Sequence, residues 1–143
     1  MSSPTIRAVL IRRRFPATLK GIDAFCEEAR DEVAPMVSRK DLFATEMLLR
    51  EALGNAVIHG CRRDPRKTVD CRLRIDGDRL RIDVVDEGDG FDWRGALERS
   101  GDPRRKSGRG LRICTLYATD ISFNREGNHL AITRKLDRGG DDA

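Results

Sequence analysis

The chain has 143 residues, enough for one domain with a sizeable hydrophobic core. Its net charge of +4 suits acidic or phosphate-bearing partners, but acidic residues are interspersed throughout and only 5% of residues are aromatic, which argues against direct binding of nucleic acid. No apolar run approaches the roughly 20 residues that a membrane span needs, so we expect no membrane insertion.

The cysteines indicate a reducing compartment. Cys26, Cys61, Cys71 and Cys114 lie far apart and form no Cys-x-x-Cys pair. The N-terminus also lacks the apolar core of a signal peptide, so we expect a cytoplasmic protein with buried free thiols. His59 and Cys61 are close enough to share a metal ion, but no other His or Cys is spaced to complete such a site.

The first predicted elements are an edge strand and an amphipathic helix. Residues 5–15 alternate loosely and end in arginines before Pro16, as in a strand at a sheet edge. Apolar residues then recur at intervals of three and four between Thr18 and Pro35, which predicts a helix. Ser38 and Asp41 are spaced like a capping box for a second helix, with Asp in place of the usual Glu or Gln.

The second helix carries polar side chains on an otherwise apolar surface. Glu51, Asn55 and His59 recur every four residues and therefore form one stripe. Burying a carboxylate and an amide costs several kcal/mol unless partners satisfy them. The stripe is either an exposed row of hydrogen bonds or part of a site, and the helix alone does not decide between them. Gly54 predicts that another group approaches this helix closely.

A hairpin and a glycine-rich turn come next. Alternating apolar residues predict strands over residues 69–75 and 80–84, joined at residues 76–78 and buried on one face. The second strand leads into Asp86 and the glycines that follow it, where the backbone can bend or approach a ligand. Residues 93–106 are charged and lack periodicity, which predicts a mobile loop.

The last predicted elements are a third helix and two strands. Gly108 and Gly110 precede the helix, whose N-terminus offers free backbone N–H groups to an anion. Strands over residues 121–123 and 130–136 follow. The sequence therefore predicts a single domain over residues 1–136 and a disordered tail over residues 137–143.

Three separated motifs offer complementary chemistry. Asp86, at a strand end, can accept a hydrogen bond from an exocyclic amine, and the Gly-x-Gly start of the third helix can bind phosphates. The amide oxygen of Asn55 can ligate Mg²⁺, and Glu51, one turn earlier, can take the proton of an attacking hydroxyl. P-loop and Rossmann folds are excluded, because the Walker A spacing is absent and Trp93 stands where a third glycine is needed.

Together these motifs resemble the GHKL (Bergerat-fold) ATPases, and within them the bacterial anti-sigma-factor serine/threonine kinases. The resemblance covers roughly residues 15–136: segment 51–60 looks like the N-box, 86–91 like the first glycine box and 108–111 like the second. It implies a Bergerat-type α/β fold, an α+β two-layer sandwich. In that fold a mixed, mostly antiparallel sheet is covered on one face by about three helices.

The resemblance also implies roles for individual residues. Glu51 would be the catalytic base, Asn55 would bind Mg²⁺, and Asp86 would bind the adenine amino group of ATP. The other nucleotide-binding residues would be His59, Gly88, Gly90, Phe91, Arg105, Lys106, Gly108, Arg109, Gly110, Leu111 and Asn128. The basic residues among them would meet the γ-phosphate or remain solvated loop charges. Asn128 stands where the family commonly has the Thr of a Gly-Thr pair.

The implied function is ATP- and Mg²⁺-dependent phosphorylation of an anti-anti-sigma (STAS-domain) protein, with sequestration of a sigma factor by a homodimer. The alternatives are a non-catalytic module in which nucleotide sets partner affinity, a detached histidine-kinase ATP domain, and a basic scaffold that binds no nucleotide. The histidine-kinase alternative is disfavoured because His59 and His129 are the only histidines and no long dimerisation helix carries a phosphoacceptor.

Overall fold

The computed structural model describes residues 8–88 and 109–138, with side chains from residue 10 in the first range and from residue 113 in the second. Its strands are β1 (Ala8–Pro16), β2 (Thr68–Asp76), β3 (Arg79–Asp86), β4 (Asp120–Phe123) and β5 (His129–Lys135). They form one sheet in the order β1-β2-β3-β5-β4, and all four pairings are antiparallel. The predicted edge strand and hairpins are confirmed.

The described helices form the second layer. They are α1 (Leu19–Val33), α2 (Arg39–Gly54) and α3 (Arg109–Tyr117), with a 3₁₀ turn at Ala34–Met36 and a π-helical turn at Asn55–Gly60. α2 packs against both α1 and α3 and contacts β3. The predicted two-layer α/β sandwich is therefore confirmed.

The core lies between the two layers because β2 and β3 alternate buried and more exposed side chains. Val69, Cys71, Leu73 and Ile75 of β2 are all buried. Burying a large aliphatic side chain stabilises a fold by about 1.5–3 kcal/mol, and α2 adds the fully buried Leu48, Leu49 and Leu53. This alternation turns one face of the sheet towards the helices.

The four cysteines are free and buried, as predicted. Burial raises the pKa of Cys26 to about 11 and that of Cys114 to about 12, so these thiols stay protonated at neutral pH. Over residues 8–88 and 109–138 no three His, Cys, Asp or Glu side chains are grouped to hold a metal ion. In the same ranges no helix is both long and apolar enough to cross a bilayer.

The start of α2 corrects the prediction of a capping box. Ser38 Oγ accepts from the Asp41 N–H at 3.1 Å, as expected of an N-cap. The Asp41 carboxylate turns inward instead of completing the box, because it is fully buried and pairs with Arg134 at 2.9 Å. Arg134 also donates to the carbonyl of Tyr117 at 2.7 Å. This buried pair joins α2, the end of α3 and β5.

Two residues of the predicted disordered tail are hydrogen-bonded to the domain. The Asp137 N–H donates to Asp41 Oδ2 at 2.8 Å, and the Arg138 guanidinium donates to the carbonyls of Gly77 and Met36. Residues 137 and 138 therefore belong to the folded domain. Residues 139–143 lie outside the described residues.

Candidate functional site

The site begins where α2 changes to a π-helical turn at Asn55. The Asn55 N–H donates to the carbonyls of Ala52 and Glu51, and the turn runs to Gly60. π-Helical turns are rare in proteins, and those that do occur often lie at functional sites. Along the predicted stripe, His59 is exposed, while Glu51 and Asn55 are half-buried.

Asp86 ends β3 beside this turn. Its side chain is only 7% exposed, and Oδ1 accepts from the Gly88 N–H at 2.8 Å. Burial raises the pKa of Asp86, and the Gly88 hydrogen bond and the positive charge of Lys67 offset part of this effect. A buried carboxylate has up to four acceptor positions, so Asp86 is suited to a ligand that donates hydrogen bonds.

Two glycines allow the π turn to pack directly on Asp86. A Cβ at Gly60 would lie 2.7 Å from both Asp86 carboxylate oxygens, and a Cβ at Gly88 would overlap the Gly60 carbonyl oxygen. Only glycine therefore fits at either position without displacing the neighbouring group. Gly54 differs, because a Cβ at that position would have no described atom within 4 Å. No described residue makes the close approach predicted at Gly54.

These glycines yield a prediction with a matched control on one continuous helix. Gly60→Ala should lower the free energy of unfolding by about 1–3 kcal/mol, because the new methyl group displaces the Asp86 carboxylate. Gly54→Ala should raise it by up to about 1 kcal/mol, because Ala restricts the unfolded chain and meets open space. Urea unfolding without nucleotide measures both changes. Equal effects of the two substitutions would contradict the close packing at Gly60.

A narrow cavity lies beside Asp86, between the end of α2 and the sheet. Ala52, Ala56, Val84 and Leu130 supply apolar walls, and Asn55 and Asn128 line it with Asp86. Its volume is about 10 Å³, roughly the room that one water molecule needs. The larger cavities lie elsewhere, on the open face of the sheet and between α1 and α2.

Asn55 carries an unsatisfied polar atom at this cavity. Its Nδ2 is buried and has no hydrogen-bond partner among the described residues. Leaving such a group unpaired costs about 1–3 kcal/mol, which a ligand can recover. A flip of the amide exchanges its oxygen and nitrogen, so the same position can offer an oxygen to Mg²⁺ or an N–H to a ligand oxygen. The side chain fits a magnesium nucleotide.

Glu51 lies one turn before Asn55, close to α3. Burial raises the pKa of its carboxyl group, and its negative charge in turn helps to raise the pKa of the Cys114 thiol. A carboxylate whose pKa is shifted towards neutral pH is a better proton acceptor than a solvated one. Glu51 has the electrostatic setting of a general base.

Asn128 is positioned by the hairpin between β4 and β5. Asn124 Oδ1 accepts from the backbone N–H groups of Gly127, Asn128 and His129. Asn124 Nδ2 donates to Asn128 Oδ1 at 2.6 Å, and the Asn128 carbonyl accepts from the Asp86 N–H. The residue that replaces the usual Thr therefore lies beside the predicted adenine-binding carboxylate.

The fold gathers four predicted nucleotide-binding residues, namely Asn55, Asp86, Gly88 and Asn128, around one end of the sheet. Several others lie outside the described residues: Gly90, Phe91, Arg105, Lys106 and Gly108. The predicted mobile loop at residues 93–106 also lies there. Arg109, Gly110 and Leu111 form the first turn of α3, of which only the backbone is described.

Sequence reasoning missed the apolar walls of the cavity. Val84 precedes Asp86 by two residues on the same strand, so the period of the strand could have placed both on one face. Leu130 lies on β5, which pairs with β3, and Phe123 lies on β4, which pairs with β5. These strands come more than 30 residues after β3 in the sequence, so no local pattern indicates that their side chains line the cavity. Lys67 was also missed, although its charge lowers the pKa of Asp86.

The described architecture is that of a nucleotide-binding α/β sandwich, with a buried carboxylate at a strand end, close-packed glycines and a helix that bears Glu and Asn. Comparison of the sequence with known families gives the same class. The chain belongs to the family of the histidine kinase-like ATPase domain, whose family profile matches residues 15–134. A search of curated proteins finds no match. Membership of this ATPase family implies that the chain binds ATP.

Proposed function

We propose that this protein is an ATP-dependent serine/threonine kinase that acts as an anti-sigma factor. In this proposal it phosphorylates an anti-anti-sigma protein of the STAS type and sequesters a sigma factor while that partner is phosphorylated. The observation that carries the proposal is Glu51, a half-buried carboxylate with a raised pKa, one turn before Asn55 on the helix that lines the Asp86 cavity. A module that only bound nucleotide would have no use for a base there.

The described residues divide the work by their chemistry. Asp86 is suited to accept a hydrogen bond from the adenine amino group, and Val84 and Leu130 to contact the ring. Asn55 would hold Mg²⁺, which neutralises phosphate charge when bound. Glu51 would orient the hydroxyl of the acceptor serine or threonine and take its proton. ATP supplies the phosphoryl group.

The start of α3 completes the proposed phosphate site. Gly110 and Leu111 lie in its first turn, where backbone N–H groups lack partners within the helix. An anion at this end also gains from the helix dipole, by about 0.3–1 kcal/mol. Arg109 at the start of the helix, and Arg105 and Lys106 before it in sequence, would add positive charge. We propose that the protein works as a cytoplasmic homodimer.

Phosphotransfer to a defined acceptor tests the proposal. The full chain is incubated with γ-³²P-labelled ATP, Mg²⁺ and a purified STAS-domain protein from the same genome. We expect one serine or threonine of the acceptor to be labelled, as identified by mass spectrometry, and EDTA to abolish labelling. The same STAS protein with that residue changed to Ala is the control.

The outcome of this assay also separates the alternatives. ATP binding by calorimetry, with no labelling of any STAS protein in the genome, would favour the non-catalytic module that uses nucleotide to set partner affinity. Acid-labile labelling on histidine would instead favour a histidine-kinase ATP domain. The proposal also requires the protein to bind the sigma factor only while the STAS partner is phosphorylated. Co-elution of the sigma factor with the protein and its unphosphorylated STAS partner in size-exclusion chromatography would contradict it.

A further inference from the structure

The face of the sheet opposite the helices carries an excess of arginine. On β1, β2 and β3 we define the arginine face by the outward side chains of Arg12, Arg14, Arg72, Arg74, Arg79 and Arg81. Three aspartates lie among them, namely Asp70, Asp76 and Asp83. No described helix covers this face, so its side chains are open to a partner.

The register of the sheet places like charges directly opposite each other. Three cross-strand pairs are like-charged: Arg12 with Arg72, Arg74 with Arg81, and Arg79 with Lys135. Three others are opposite in charge: Arg14 with Asp70, Arg72 with Asp83, and Asp76 with Arg79. Like-charged pairs destabilise a sheet by a few tenths of a kcal/mol to about 1 kcal/mol each. The three like-charged pairs therefore offset part of the stability that the three opposite-charge pairs contribute.

The helical layer pairs its charges differently. Its ion pairs match one cation with one carboxylate: Arg13 with Glu28, Arg30 with Glu46, and Arg50 with Asp23. The ion pairs that involve these helices are thus balanced one to one, whereas six arginines accompany three aspartates on the arginine face.

The aspartates of the arginine face do not neutralise it. Asp83 is shared by three cationic or basic groups, at 2.9 Å from Arg81, 3.1 Å from His129 and 3.8 Å from Arg74. Arg72 and Arg79 form no ion pair with another described residue. Positive charge therefore remains available at the middle of β2 and at the start of β3.

The arginine face is also concave. Two cavities, of about 390 and 330 Å³, lie on it and share Arg74 and Arg81 as lining residues, so they form one groove. Val85, which is 41% exposed, lines the larger cavity beside His129. The groove therefore offers cationic positions and one apolar contact.

We propose that the arginine face is a docking surface for an acidic segment of a partner protein. Guanidinium groups bind carboxylates through paired N–H donors, and removing the like-charge repulsion within the sheet adds to the gain on binding. A protein segment also brings N–H and hydroxyl donors for Asp70 and Asp83, whereas a phosphate backbone has none and would be repelled by them. The aspartates thus favour a protein over a nucleic acid.

The inference goes beyond the proposed kinase activity and does not depend on it. Asp86 points to the helical side of the sheet, as does Val84, while the arginine face lies on the other side. Docking and nucleotide binding can therefore be lost separately by mutation.

The test uses a fluorescein-labelled 20-residue peptide of alternating Glu and Thr, titrated with the full chain and followed by fluorescence anisotropy. Arg72→Gln with Arg79→Gln should weaken binding about three- to tenfold, because each removes a cation that has no ion pair to lose. The matched control is Arg39→Gln with Lys40→Gln, an equal charge change at the exposed start of α2, which should change binding less than twofold. Circular dichroism confirms that both variants fold.

Four results would overturn the proposal. If both double variants bound the peptide equally weakly, the loss would reflect the lower net charge and not the arginine face. Tighter binding of a 20-base-pair DNA duplex than of the peptide, sensitive to the same two arginines, would make the face a nucleic-acid site. Light scattering in which only Arg72→Gln with Arg79→Gln abolishes a dimer would make the occupant a second copy of the chain. A Gln-Thr peptide that binds as well as the Glu-Thr peptide would also exclude recognition of carboxylates.

Discussion

Replacing Glu51 by Gln is expected to lower phosphotransfer about 10²- to 10⁴-fold while ATP affinity stays within about twofold of the wild type. The substitution keeps the size of the side chain and removes only its ability to accept a proton. Because burial raises the pKa of Glu51, wild-type transfer should also fall as the pH is lowered through that raised value. Initial rates across pH, with calorimetry for ATP, measure both effects.

Although Glu51→Gln should lower phosphotransfer, it should raise the stability of the folded protein. A carboxyl group whose pKa is raised in the folded protein binds its proton more tightly there than in the unfolded chain, so its contribution to stability is lost as the pH rises through the folded pKa. Gln carries no charge at any pH. Glu51→Gln should therefore melt at a higher temperature than the wild type near pH 8, with the difference shrinking towards about pH 4.

Glu46→Gln is the matched control for Glu51. It makes the same chemical change on the same helix, but Glu46 faces α1 and pairs with Arg30 at 3.2 Å. Transfer in this variant should equal that of the wild type. If Glu51→Gln lost ATP binding and transfer in parallel, Glu51 would be a structural residue and the kinase assignment would fail.

Asp86→Asn is expected to weaken ATP binding about ten- to a hundredfold, because a charge-assisted hydrogen bond to the adenine amino group contributes about 1.5–3 kcal/mol. The Asn oxygen can still accept from the Gly88 N–H, so the packing around Gly60 is preserved. The Asn amide N–H would face a donor on adenine but an acceptor on guanine. The preference for ATP over GTP should therefore fall with ATP affinity.

Comparing the two nucleotides makes this prediction specific to base recognition. Calorimetry with ATP and GTP, on wild type and Asp86→Asn, gives the four affinities needed. An equal loss for both nucleotides would indicate a general disturbance of the site. Unchanged ATP affinity would remove Asp86 from the adenine pocket.

The local features of this fold could be predicted because they depend on neighbours in sequence. The alternation of Val69 to Ile75 determines which face of β2 is buried, and Thr18 and Ser38 mark helix starts through hydrogen bonds that span three residues. The order of motifs around Asn55, Asp86 and Gly110 likewise indicated the nucleotide site, since the chemistry of each is local. Sequence alone was therefore sufficient for the fold class and the candidate residues.

Tertiary structure decided what depends on residues far apart in the chain. Asp41 could not be recognised as a buried partner of Arg134, because 93 positions separate them and the local pattern favoured a capping box. The close packing of Gly60 on Asp86, and the open space at Gly54, follow from how the π turn meets β3. The arginine face also depends on strand register, which places Arg12 opposite Arg72 and Arg74 opposite Arg81. Long-range packing and register, which no sequence period encodes, determined these features.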